Sequence, residues 1–303
     1  MRTHWARVLV LAGLLAGCHR SEAPKAASPR LITFAPHATQ IALDLGLTDH
    51  MVGVTSHCRL PEGLSVAVLG DGFRLNAEAA AAVRPDILFH NTDDTEFRRT
   101  LAGVKIVRLE NGSLAKLRQS IRQMGELTGR SPQAAALVAR IDAELDAVRQ
   151  SVASRPRPRV LFLIGTDKPM TVGAGWTLSE MIDIAGGANA AAEKGLRSWG
   201  TINLETIESI GPDVLICQVD AGAANVEAAR KYWQRRSDLK AVCEGRVVIT
   251  DDASLTIEDS HVSQIARKLV AMIHPEVAPA SAATADLSPA AASAPASSAE
   301  AQP

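Results

Sequence analysis

The chain has 303 residues, 47% of them hydrophobic, enough for a sizeable core and for about two domains. Its formal net charge is −1, which removes any broad electrostatic pull toward nucleic acid or an anionic membrane. Aromatic residues make up only 3% of the chain, so a tryptophan near a cleft stands out as a candidate contact surface.

The first residues predict export. Arg2 and Arg7 make a basic start, Val8 to Leu15 an apolar run, and Ala16 and Gly17 a small-residue cleavage site before Cys18. The run is far shorter than the ~20 residues that span a bilayer. Leu15-Ala16-Gly17-Cys18 resembles a bacterial lipobox, which implies a diacylated Cys18 as the first mature residue, with residues 1–18 as lipoprotein signal and lipobox. Residues 19–29, rich in Ser, Ala, Pro and charge, are predicted to form a tether. Residues 278–303 are almost all Ala, Ser and Pro, a composition expected to stay disordered. An exported chain meets an oxidising compartment. Cys58, Cys217 and Cys243 remain there, an odd set, with Cys217 and Cys243 in the same half and either bridged or free.

Between tether and tail, short apolar runs alternate with helical patterns. Leu31 to Phe34, Met51 to Thr55, Val66 to Leu69, Asp86 to His90 and Val104 to Leu109 are predicted strands. Ala38 to Leu45, closed by Gly46, and residues 76–84 are predicted helices. A second series has strands at Val160 to Ile164, Asp213 to Cys217 and Val247 to Thr250. Its helices are Leu178 to Ala185, Leu204 to Ile210 and Ser260 to Ile273. This alternation predicts an α/β fold with two small lobes, each built on a mostly parallel sheet. The lobes span 30–130 and 154–277.

Residues 131–153 join them. Ser131 is expected at the N-cap and Pro132 at the first helical position. From there to Val152 the chain has no Gly or Pro, and Ala136, Leu137, Val138, Ile141, Leu145 and Val148 keep a helical apolar period. About 20 residues at ~1.5 Å each give one long backbone helix of ~30 Å, a stiff connection that predicts little lobe motion.

This pattern resembles the vitamin B12/ferric-siderophore periplasmic binding protein family over about Arg30 to Glu276. The opening Leu31-Ile-Thr-Phe-Ala-Pro-His-Ala-Thr-Gln-Ile, Val52-Gly-Val-Thr-Ser and Leu69-Gly-Asp-Gly-Phe carry the likeness, with Asn76 and Glu78 and then Arg84-Pro-Asp-Ile-Leu. Gly125-Glu-Leu-Thr-Gly-Arg, Ala185-Gly-Gly-Ala-Asn and Trp199-Gly-Thr-Ile-Asn-Leu-Glu205 continue it. The resemblance implies the substrate-binding component of an ABC importer, facing the periplasm and held to a membrane by the lipid anchor. It implies permease and ATPase partners, no cofactor of its own, and a metal chelate holding cobalt or iron as ligand. A monomer without nucleic-acid contact is expected.

Ligands of open α/β sheets bind beyond the carboxyl ends of the strands. The residues just after each strand are therefore the pocket candidates: His37, His57, Cys58, Phe73, His90, Asn91, Trp176, Trp199 and the stretch from Asp251 to His261. Imidazole and thiol are donors for transition metals, so His37, His57, Cys58 and His261 are candidate metal contacts, or else polar groups at strand ends. Trp176, Trp199 and Phe73 offer flat apolar faces to a corrin or porphyrin, or cap their lobes' cores. His37 stands where the family usually carries a small residue. Asp259-Ser260-His261 stands where it often carries a Pro-Arg pair. Few arginines fall near the strand ends, Arg59 and Arg197 being the nearest, which weighs against an anionic siderophore. The resemblance places Glu78 and Glu205 on the two lobes' upper faces as permease-docking carboxylates; a plain helix-start charge is the other reading.

No nucleophile elbow, P-loop or dinucleotide glycine pattern occurs, and neighbours such as His57 and Cys58 on one loop rarely reach the geometry of a base and nucleophile. The expectation is a receptor and not an enzyme. It captures a corrinoid between its lobes, with a ferric siderophore, haem or a transition-metal ion as the alternatives.

Overall fold

The computed structural model describes residues 29–277 apart from 72, 73, 93 and 94. Cys18, the signal, nearly all of the tether, the tail and Phe73 therefore lie outside the described residues.

The first lobe starts with β1 (Leu31–Thr33), α1 (Pro36–Asp44), β2 (Met51–Val54), β3 (Ala67–Val68) and α2 (Ala77–Ala82). It continues through β4 (Ile87–His90), α3 (Thr95–Thr100), β5 (Lys105–Arg108) and α4 (Leu114–Leu127). Its five strands are all parallel, in the order β3-β2-β1-β4-β5. The chain leaves β1 toward one side of the sheet and reaches β4 on the other. The connections after β1 and β4 therefore part, and open a crevice at their carboxyl ends.

The long helix α5 (Ser131–Ser151) follows. Arg130, not Ser131, occupies the N-cap position, and no side chain caps it; Ser131 is already helical. Ala134, Leu137, Val138, Ile141, Leu145 and Val148 are its buried residues, a stripe at helical spacing.

The second lobe opens with β6 (Arg159–Ile164), β7 (Met170–Thr171), α6 (Thr177–Ile184), β8 (Ala188–Asn189), α7 (Ala190–Glu193) and β9 (Gly200–Thr201). Then come α8 (Leu204–Ile210), β10 (Val214–Gln218), α9 (Ala223–Gln234), α10 (Lys240–Cys243), β11 (Val247–Thr250) and α11 (Val262–Ile273). Here β11, β10, β6 and β8 run parallel, while β7 and β9 add an antiparallel flap on the far side of β6.

Strands buried on both faces explain the unbroken apolar runs. Leu31, Phe89, Val160 and Phe162 face one continuous core that passes under α5 and is closed by α1, α4, α6 and α11. Ile32 and Leu88 face a second cluster under α2 and α3. Leu161, Leu163, Leu215 and Cys217 face a third, against Trp233 of α9. The described chain crosses between lobes once, at α5, but direct bonds also join them. The Leu114 N–H donates to Glu180 Oε2 at 2.7 Å, and the Thr177 N–H donates to the Gly112 carbonyl at 3.0 Å. The Ser260 hydroxyl donates to Asp44 from the opposite lobe.

Cys217 and Cys243 are not bridged. Cys217 is buried in the β10 core, where burial pushes its thiol pKa up, while Cys243 is exposed and its Sγ donates to the Ser237 carbonyl at 2.7 Å.

Candidate ligand-binding cleft

The crevice beyond β1 and β4 faces the second lobe across a chamber of about 430 Å³. Pro36, His37, Asn91 and Asn111 come from the first lobe. Ile164, Met170, Trp176, Trp199, Thr256, Ile257 and Glu258 come from the second. One wall is polar and the other largely apolar.

His37 sits in the first turn of α1, a helix that begins at the cleft behind an extended Ala35 with no side-chain cap. It is 5% exposed, and its Nε2 is buried without a hydrogen-bond partner. Burial lowers its pKa to about 4, which the nearby Leu109 carbonyl offsets only in part. The ring is therefore neutral at pH 7, with a buried, unpartnered nitrogen in a residue that lines the chamber. That is costly for a group with nothing to do.

Trp176 and Trp199 are both half-buried cleft walls. Trp176 stands at the N-cap of α6, and its six-membered ring packs against Gly112 of the other lobe. Gly112 has φ of +95°, and a Cβ there would come within 3.0 Å of the Trp176 ring. Glycine is thus required twice, by backbone conformation and by close approach. Met170 is 39% exposed, an apolar side chain presented to the chamber by the antiparallel flap.

Among the described residues Glu258 is the one ionisable acid that lines the chamber. Burial, reinforced by the charge of Glu180, raises its pKa. The Gly112 N–H and the Thr177 hydroxyl approach it and offset this in part, yet Glu258 Oε2 and Thr177 Oγ1 are both buried without a closed hydrogen bond. Among the described residues no Lys or Arg lines this chamber.

The sequence candidates separate. His37, Asn91, Trp176 and Trp199 line the chamber. His57 and His261 line a smaller hollow beside it. Cys58 lies behind the wall, in a knot of buried hydroxyls. It accepts from Thr39 Oγ1 at 3.0 Å, lies 3.2 Å from Thr55 Oγ1 and points toward the Thr33 carbonyl at 3.8 Å. His90 is fully buried, edge-on to Phe97 at 5.2 Å. The four suggested metal donors therefore do not converge. Among the described residues no three His, Cys, Asp or Glu side chains come together to hold a metal ion. Asn111 was missed, although the strand-end rule applied one residue beyond Leu109 and Glu110 would have reached it. Met170 was missed because a two-residue antiparallel strand leaves no periodic signal.

Glu78 and Glu205 are exposed and hold the same position in two helices. Each is the second residue after an asparagine N-cap: Asn76 accepts from the Ala79 N–H at 3.0 Å, and Asn203 from the Thr206 N–H at 2.8 Å.

A periplasmic binding protein family model matches residues 31–253. The chain belongs to that family. An uncharacterized ABC transporter substrate-binding lipoprotein, YvrC of Bacillus subtilis, is 24% identical over 90% of this chain and 96% of its own length. A vitamin B12-binding protein of Salmonella choleraesuis is 24% identical over 68% of this chain and 78% of its own. Among solved structures, the periplasmic heme-binding protein RhuT of Roseiflexus matches with a TM-score of 0.69 and 25% identity, over 82% of this chain and 99% of that one. The protein is accordingly the substrate-binding component of an ABC importer, a class that works with permease and ATPase components and faces the cell envelope.

Proposed function

We propose that the protein captures a corrinoid, a vitamin B12-like ligand, between its lobes. The observation that carries this is the composition of the chamber: flat apolar walls from Trp176 and Trp199, amides from Asn91 and Asn111, and no cation among the described residues. A corrin ring carries neutral amide side arms, whereas a porphyrin carries carboxylates and a catecholate siderophore carries phenolates. Amide donors and acceptors suit the first, and buried anions would want arginines. The vitamin B12-binding relative supports the same reading.

His37 gives a specific reason for a second reading. A neutral, buried imidazole with an unpartnered Nε2 is suited to one axial position of the ligand's metal, cobalt or iron, so haem is the alternative. The heme-binding structural neighbour supports it. A bare metal ion fits less well, because the donors His37, His57, Cys58 and His261 are spread over three separate places.

Glu78 and Glu205, matched on two helix starts, are the docking carboxylates for the permease, and Cys18 is the lipid attachment. The protein acts as a monomer. Calorimetric titration against cyanocobalamin, haemin, ferric siderophores and divalent metal ions tests the ligand. Sub-micromolar binding of the corrinoid alone is expected. Tighter binding of haemin would replace the corrinoid by the alternative, and binding of metal ions alone would overturn both. Changing Glu78 and Glu205 to Lys is expected to abolish uptake while leaving affinity intact.

A further inference from the structure

Beside the main chamber lies a smaller hollow of about 140 Å³ that shares Pro36 and Ile257 with it. Its character is opposite to that of the main chamber. Arg59 and His57, from the loop after β2, face His261 and Gln264 at the start of α11, with Gln40 of α1 between them. Among the described residues Arg59 closes no ion pair and no hydrogen bond, and neither does the His57 ring. Among the described residues the one acid lining the hollow is Asp259, which accepts from the His261 N–H at 2.8 Å, lies 3.6 Å from His261 Nδ1 and feels the opposing charges of Arg59 and of Asp44, itself 4.0 Å from His261 Nε2. The hollow therefore holds a guanidinium fork that closes no hydrogen bond among the described residues and acts on Asp259 through its charge alone, next to a chamber that no described cation lines.

We infer that this hollow seats an anionic group carried on an arm of the ligand, a phosphodiester such as the one joining a corrin ring to its nucleotide loop, with Arg59 as its principal partner. This rests on the corrinoid reading above. A guanidinium presents paired N–H donors that match two phosphate oxygens, and a charge-assisted contact of that kind is stronger than a neutral one. Gln264 and His57 add donors around it, and Gln40, whose Nε2 already donates to Asp44 at 3.3 Å, has one amide hydrogen left. The main chamber holds the ring and its amides, and the hollow reads the single charge that the arm carries. The hollow thus sets a preference for the complete ligand over the bare ring.

The test compares two probes on the purified full chain: cyanocobalamin, and dicyanocobinamide, which has the same ring without the nucleotide arm. Cyanocobalamin is expected to bind tighter on the order of tenfold, and Arg59→Ala should remove most of that preference while leaving the cobinamide affinity nearly unchanged. Arg59→Lys keeps the charge but not the fork, and should restore only part of the preference. Gln264→Ala, on the opposite wall, should also narrow the gap. Equal affinity for the two probes in the native chain, or an Arg59→Ala variant that weakens both alike, would overturn the inference. Binding of neither probe would overturn the corrinoid reading itself, and this inference with it.

Discussion

Two polar places lie within a few residues of one another at the carboxyl ends of β1 and β2, and they are built in opposite ways. In the Thr33, Thr39, Thr55 and Cys58 knot each group finds a neighbour: Thr33 and Thr39 hydroxyls are 2.7 Å apart, and Cys58 Sγ takes the Thr39 hydroxyl at 3.0 Å. At His37 the Nε2 atom is equally buried and has no partner. Both places carry metal-donor atoms, and both follow strands. Only the second has unused capacity, and only it lines the chamber. A satisfied polar cluster stabilises a lobe, whereas an unsatisfied one is kept for something that is absent from the free protein.

This contrast can be broken experimentally. The largest expected effect is on the apolar wall that faces His37 across the chamber: Trp176→Ala should lower ligand affinity by about 2–4 kcal/mol, as truncation of a central aromatic anchor does, read by calorimetry. His37→Leu comes next and should separate binding from stability. Affinity falls, while the fold gains from losing a buried unpartnered group. The stability gain grows with acidity. The folded ring titrates at about 4 and the ordinary value is 6.5, so above pH 6.5 the ring is neutral in both states. Below that the unfolded chain takes up a proton that the folded chain refuses. The native protein should therefore lose about 1.4 kcal/mol per pH unit relative to His37→Leu between those two values. Urea denaturation at pH 7 and pH 5 measures this, and a pH-independent difference would contradict it.

Cys58→Ala should do the reverse. It removes one contact each from the Thr39 and Thr55 hydroxyls, which keep Thr33 and the His57 N–H, so stability falls by about 1 kcal/mol while affinity holds. A loss of affinity without loss of stability would dissolve the distinction between the two places. The smallest effect belongs to Gly112→Ala, where a left-handed backbone costs about 1–2 kcal/mol of stability and the Trp176 ring must shift by a few tenths of an ångström. A modest fall in affinity should accompany it.

The same contrast explains how much of the molecule was legible in the sequence. Strands buried on two faces announce themselves as continuous apolar runs, and helices such as α5 by an apolar stripe at helical spacing, so β4, β6, β10, β11, α5 and α8 were placed within a residue or so. The flap of β7 and β9 and the helix α9 were not found. The two strands have two residues each, and α9 is largely exposed, with Ala229 and Trp233 as its buried residues. The strand-end rule named His37, Asn91, Trp176 and Trp199, and these four line one chamber. It had no means of telling His37 from Cys58. That difference depends on which hydroxyls reach which atoms, and Thr33, Thr39 and Thr55 meet Cys58 only once β1, α1 and β2 are packed together.

The most direct measurement is the absorbance spectrum of aquacobalamin, whose axial water is exchangeable, on addition of the native chain and of His37→Leu. A shift of the corrin bands with the native chain and none with the variant is expected if His37 Nε2 meets the metal. Identical spectra for the two, or no binding by the native chain, would contradict it.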